Sequence, residues 1–214
     1  MITDADFLRS ARALTEEMQS EHIRRNLRYL NITAEGAPVA VHVAISSQIG
    51  WVLGQLAVAD GQPVDPRNVT ELVLWHDTEE TRIWDLGRDV RRYIEIDDER
   101  ALADKFAGVS WGAHVIALKH RFEHPADDDL EALLARDSDV MYVILTIKQL
   151  DESGVAVHEV NERIARTAAR LKTSYAQRLA EALTQVGMSE WWDVMMGYAR
   201  VTEEGTLERI VRKR

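Results

Sequence analysis

The sequence predicts an all-α protein, a helical bundle formed by a single domain over 1–214. Apolar residues recur at three- and four-residue spacing along most of the chain, the period of helices that bury one face. The chain has only 11 Gly and 4 Pro among 214 residues, too few for the closely spaced turns of a β-sandwich. That length suits one compact domain with a sizeable core. No repeat, low-complexity tract or linker divides it.

The elements follow in order. Thr3 or Asp4 caps a first helix with Phe7, Leu8, Ala11 and Leu14 on one face. After a loop with Asn31 and Gly36, Pro38 suits the first turn of a second helix. There Val41, Ile45, Ile49, Val52, Leu53 and Leu56 keep the helical period as far as Ala59, and Asp60-Gly61-Gln62-Pro63 ends it. A third helix carries Val69, Leu72 and Val73 into the segment WHDTEETRIWDLG. Residues 98–123 and 128–150 read as two longer helices parted by His124-Pro125. Another runs from about Val155 to Val186, striped by Ile164, Ala168, Leu171, Tyr175, Leu179 and Leu183, with Gly187 placed to stop it. Trp191, Trp192, Met195 and Met196 form a last short helix that serves as core or as a subunit contact.

Composition excludes several classes. Without Cys there is no disulfide, thiolate metal site or cysteine nucleophile. Lys+Arg of 26 against Asp+Glu of 36 gives a net charge of −10, a poor footprint for a nucleic-acid polymer. The start, MITDADFLRS, lacks the basic-then-apolar order of a signal peptide. No apolar run of the ~18 residues that span a membrane is expected. A cytoplasmic protein without membrane attachment is the expectation.

The informative residues are polar side chains on apolar stripes, since burying them is costly unless something pairs with them. His42 lies on the stripe of Ile45, Ile49, Val52 and Leu56. His76 is the next step after Val69, Leu72 and Val73, and Asp77 follows it. Asp139 sits among Leu133, Leu134, Val140, Met141 and Val143, with Asp137 as its rival. A lone buried His is commonly a hydrogen-bonded core residue. Two imidazoles and two carboxylates from three helices can instead converge and hold one divalent ion through N and O atoms.

This order, His42, then His76-Asp77, then a distant Asp139, resembles the HD-domain phosphohydrolases. It is most similar to their 5′-deoxynucleotidase-like branch, whose pair continues as HDxxExxxGD. Here HDTEETRIWD puts Glu80 at the Glu position and Asp85 at the Asp position. The segment HRFEHPADDDLEALLARDSDVMYVILTIKQL is similar to the family's approach to its last metal-ligand Asp, and LKTSYAQRLAEAL to its C-terminal helix. The likeness spans about 20–187 and leaves 188–214 as a C-terminal extension. Departures are Val41 where an acidic residue precedes the first His, Trp84 in place of the motif's Gly, and Gly87 in place of its Pro. The resemblance implies an HD-domain bundle with a metal site in its core, held by His42, His76, Asp77 and Asp139. It also implies a homodimer.

The implied activity is removal of phosphate from a small phosphomonoester, with a nucleoside 5′-monophosphate as the substrate class. One divalent ion, Mn²⁺, Co²⁺, Fe²⁺ or Zn²⁺, acidifies a water and neutralises phosphoryl charge. Glu80, four residues past His76 on a continuing helix, shares its face and orients the attacking water. Asp85 acts on the leaving oxygen or on a sugar hydroxyl. Arg91 falls where the family has a basic residue, and Arg28-Tyr29 is a loose counterpart of the family's substrate-contacting Arg-Trp pair. Arg91 can equally pair with Asp89 or Glu95 at the surface. Two alternatives stand beside this: a di-iron oxygenase drawing on His114, His120 and His124, expected here to be surface histidines, and a non-catalytic nucleotide-binding module.

Overall fold

A computed structural model describes residues 2–27, 35–155 and 157–210. Those residues form helices α1 (Asp4–Glu17), α2 (Val39–Ala59), α3 (Pro66–Leu74), α4 (Glu80–Ile83), α5 (Arg88–Arg91), α6 (Asp98–Lys105), α7 (Gly112–Glu123), α8 (Leu130–Glu152), α9 (Val160–Ala168), α10 (Ser174–Thr184) and α11 (Glu190–Met195). A two-stranded antiparallel hairpin, β1 (Ala199–Val201) and β2 (Leu207–Arg209), follows. The all-α reading holds, with this hairpin as an addition the helical periodicity did not reveal.

The centre of the bundle is α2 packed against α3 and α8. Leu53, Leu72, Val73, Leu134, Met141 and Ile144 are fully enclosed there. The approach is close because α2 carries small residues on its inner face. A Cβ at Gly54 would stand 2.9 Å from the Cα of Pro66, which opens α3. Pro66 itself follows the N-cap Asp65, whose side chain accepts from the Arg67 amide, as expected of a proline in the first turn.

Two apolar stripes face outward instead of inward. On α1 the capping box between Thr3 and Asp6 forms, but Phe7, Leu8, Ala11 and Leu14 are exposed and Ala13 is the buried residue. Polar contacts anchor this helix: Glu16 with Arg82, Glu17 with Lys105, and Ser10 with the Trp111 indole. On α2 the buried face is His42, Ser46, Ile49, Gly50, Leu53 and Ala57, while Val41, Ile45, Val52 and Leu56 are exposed. This helix is apolar nearly all round, so periodicity alone does not choose its inner face. By length and composition α2 also suffices to cross a bilayer, with a mean hydropathy of 1.3, contrary to the expectation from sequence. Its inner face is nevertheless the core of the bundle.

Three helices are shorter than their apolar patterns suggest. Residues 98–123 break between α6 and α7, where Gly108 adopts φ 69° and Phe106, Trp111 and Trp75 pack together. The stretch from Val155 to Val186 divides into α9 and α10, the second capped by Thr173. The third helix stops at Leu74, so His76 lies in a run of turns rather than on a helix.

Candidate metal centre

His42 is in the first turn of α2, whose start is fixed by backbone pairing: the Val39 amide donates to Ile23 and the Arg25 amide to Ala37. His76 comes just past the end of α3, with its Nδ1 2.6 Å from the Val73 carbonyl oxygen. A carbonyl only accepts, so Nδ1 carries the proton and donates, and in the neutral ring Nε2 keeps a lone pair. The His42 Nδ1 contacts Ser46 Oγ at 3.3 Å. The two Nε2 atoms face each other at 3.1 Å. Tyr142 packs edge-on against His42, and Phe122 lies beside His76. Both imidazoles are buried.

Asp77 places one oxygen 3.2 Å from His42 Nε2 and 3.1 Å from His76 Nε2. Among the described residues, His42, His76 and Asp77 form a group whose ligand atoms all lie within 4.8 Å of one another. Asp139, from α8, brings Oδ1 to 3.4 Å from His42 Nε2 and 4.0 Å from His76 Nε2. That oxygen is buried and accepts no hydrogen bond. Asp137, the rival, points elsewhere. Its oxygens accept from the Lys172 and Thr173 amides, 2.8 Å each, and from Thr173 Oγ1 at 2.7 Å, where α10 begins. Two neutral imidazoles and two carboxylates form a borderline N,O donor set, which suits Mn²⁺, Fe²⁺, Co²⁺ or Zn²⁺.

The electrostatics are those of a concentrated negative site. Burial pushes the His42 imidazole down. Burial also opposes charge on His76, but Asp77 and Asp139 turn its net shift upward. Asp77 would be raised by burial, yet His76, His42 and Arg25 hold it well below the usual carboxylate range. Burial first, and then the neighbouring charge of Asp77, push the carboxyl of Glu80, the first residue of α4, up to about 10. Its Oε2 has no hydrogen-bond partner.

Arg25 was not singled out from sequence, and it ties this set together. Its guanidinium lies 3.0 Å from Asp77, 3.7 Å from Glu80 and 3.6 Å from Asp85. The placement depends on Gly36, where a Cβ would fall 2.2 Å from the Arg25 carbonyl oxygen. Asp85 also accepts the Asn26 amide at 2.6 Å. It is aimed by Trp84, whose φ of 66° and ψ of 163° belong to a region that essentially only glycine occupies without strain.

Two buried lysines pin the turns that carry His76 and Glu80. Lys119 donates to the His76 carbonyl, and to Glu79 at 2.5 Å. Lys105 donates to the Thr78 carbonyl at 2.6 Å and to Glu17 at 2.7 Å. Lys119 shares a helical stripe with Val115, Leu118 and Phe122, so the criterion that selected His42 would have found it. No periodic signal marks Arg25.

The remaining candidates stand apart. Arg91 is occupied by the Leu86 carbonyl and by Asp98 at 2.9 Å, a partner other than the Asp89 or Glu95 expected. Arg28 and Tyr29 lie outside the described residues. His114, His120 and His124 are exposed, and His114 pairs with Glu71. Glu80 reaches the site across a break in the helix, not along a continuing one.

No protein-family model and no curated protein matches the chain. Its fold is similar to that of a conserved hypothetical protein from Pyrococcus furiosus, at 19% identity and a TM-score of 0.65, over 81% of this chain and 98% of that one. A second similar structure is a protein from Pyrococcus horikoshii OT3, at 20% identity and a TM-score of 0.64, over 80% and 96% of the two chains. Likeness at this identity concerns the fold alone.

Proposed function

We propose that the chain is an HD-type, divalent-metal-dependent phosphohydrolase acting on a small phosphomonoester, with a nucleoside 5′-monophosphate as the substrate class. The observation that carries this reading is the buried His42–His76–Asp77 group with the unpartnered Asp139 oxygen beside it. Enclosing two buried imidazoles with two partly buried carboxylates is costly without a cation to satisfy them. When bound, a divalent ion acidifies a water and neutralises charge on a phosphoryl oxygen.

The chain's residues supply the rest. His42 and His76 offer Nε2 lone pairs, and Asp77 and Asp139 one oxygen each. Glu80 sits beside Asp77 with a free carboxyl oxygen, suited to orient the attacking water; a divalent ion bound at Asp77 would offset the negative charge that holds this carboxyl protonated and let it take the water's proton. Arg25 presents a donor fork that matches phosphate oxygens. Asp85, fixed by the Asn26 amide, is the group for the leaving oxygen or a sugar hydroxyl. The exposed apolar residues of α2 are compatible with a homodimer.

The test is a phosphate-release screen over nucleoside 5′-monophosphates and sugar phosphates, each with Mn²⁺, Co²⁺, Fe²⁺ and Zn²⁺. Release that needs metal and fails in Asp77→Ala supports the reading. Metal binding without release from any monoester overturns it, and two irons per chain would favour an oxygenase.

A further inference from the structure

A cleft of about 1040 Å³ opens beside the metal centre. Asp139, a member of that centre, lines it, and so does Phe122, which packs on the His76 ring. Its other walls come from the end of α7, from α8 and from the turn between α9 and α10. Three cations line this cleft: Arg136, Arg170 and Lys172. Among the described residues none of them forms an ion pair, although the chain is strongly acidic. Arg136 donates one bond to the Glu123 carbonyl at 2.8 Å.

The acids of the cleft are largely occupied elsewhere. Glu123 pairs with Lys119 at 3.0 Å, and Asp137 is bound to the start of α10. Asp139 faces the two histidines. Asp127 is the acid left to the cleft. Arg170 and Arg136, free of ion pairs among the described residues, and Lys172, whose charge also acts on Asp137, face that acid across the cleft and make an anion-attracting wall beside the centre.

We propose that this wall is a second anion subsite, and that the substrate carries two separated phosphate groups, one at the metal centre and one on Arg170 and Lys172. The class is a nucleoside or sugar bisphosphate. This rests on the phosphohydrolase reading for the first phosphate only. Guanidinium and ammonium donors are each suited to the second, and both side chains are exposed, so replacing them leaves the core intact.

The probes are adenosine 3′,5′-bisphosphate and adenosine 5′-monophosphate, titrated calorimetrically in Mn²⁺ buffer onto the full chain and onto Arg170→Gln/Lys172→Gln. The bisphosphate is expected to bind about ten-fold or more tightly than the monophosphate, since charge-assisted hydrogen bonds exceed the ~1.4 kcal/mol that ten-fold requires. The double variant should lose that advantage and bind the monophosphate as before. Equal binding of the two probes by the native chain, or an advantage that survives the double substitution, overturns the subsite. Phosphate release from both probes is measured in parallel. A bisphosphate advantage without release from either sinks the hydrolase reading and keeps the subsite; release without the advantage does the reverse.

Discussion

The Nε2 atoms of His42 and His76 approach to 3.1 Å in a pocket from which water is largely excluded. Because the His76 Nδ1 proton is committed to the Val73 carbonyl, its neutral ring turns a lone pair toward His42. Facing lone pairs repel unless a proton or a cation lies between them. Added metal should therefore stabilise the fold. At 100-fold excess over Kd the gain is ~2.7 kcal/mol, which is roughly 5–10 °C in Tm for a domain of this size. Thermal denaturation with Mn²⁺, Co²⁺, Fe²⁺ or Zn²⁺, reversed by chelator, measures it. No shift with any of the four would count against the centre.

Asp139 and Asp137 should separate metal binding from stability. Asp139→Ala is expected to abolish most of the metal-dependent Tm shift. Asp137→Ala strips three hydrogen bonds from the start of α10. Leaving those buried donors unsatisfied should cost about 2–4 kcal/mol, with the metal response retained. Metal content after desalting, together with Tm, distinguishes them; a metal-loaded Asp139→Ala beside an empty Asp137→Ala would reverse the assignment.

Much of this site was legible because polar residues interrupt apolar stripes. His42, His76 and Asp139 interrupt such stripes, Asp77 follows His76 directly, and the four are brought together. The inner face of α2 was not legible, since Val41, Ile45, Val52 and Leu56 are as apolar as the residues it buries. The helix breaks were hidden for another reason: Phe106 and Trp111 are apolar in a turn as they would be in a helix. Glu79 carries no signal of its own in an acidic run, yet a lysine forty residues later in sequence encloses it. Arg25 has no local signal at all, since its role is set by three carboxylates distant in sequence.

Lys119 should be essential to the fold. Lys119→Met leaves Glu79 buried without its partner and removes a donor from the His76 carbonyl. Breaking a buried pair from one side typically costs ~3–5 kcal/mol. The partner change Glu79→Gln in the same background should recover part of that loss, because the stranded charge is gone. Denaturant midpoints of the two single variants and the double give the coupling; simple additivity would deny the pair.

Trp84 offers the opposite kind of test. Its backbone sits at φ 66° and its side chain is 63% exposed, so the ring contributes little burial to offset the strain. Such conformations cost ~1–3 kcal/mol for a residue with a Cβ. Trp84→Gly should raise the denaturation midpoint, with a net gain in stability of about 1 kcal/mol once the glycine's own entropic cost of ~0.5–1 kcal/mol is taken from the strain relieved. An unchanged or lower midpoint would show that the indole contributes more than its exposure implies.

Glu80 is where binding and turnover should part. It follows Asp77 by three residues, its amide donating to the Asp77 carbonyl at 3.1 Å, and is buried with Oε2 unpaired and Arg25 3.7 Å away. Glu80→Gln keeps the shape and removes the carboxylate that would take a proton from water. Metal content and the metal-induced Tm shift should persist, while turnover falls by ~10²–10⁴-fold, the usual contribution of a positioned acid–base group. Glu79 is an unsuitable control, because its loss would remove a buried partner of Lys119, which also holds the His76 carbonyl. Glu99, exposed on α6, is a proper one, and Glu99→Gln should behave as the native chain. If metal-loaded Glu80→Gln turns over at a near-normal rate, the proton must pass through another carboxylate. Asp85, also within reach of Arg25, would then be the residue to replace next.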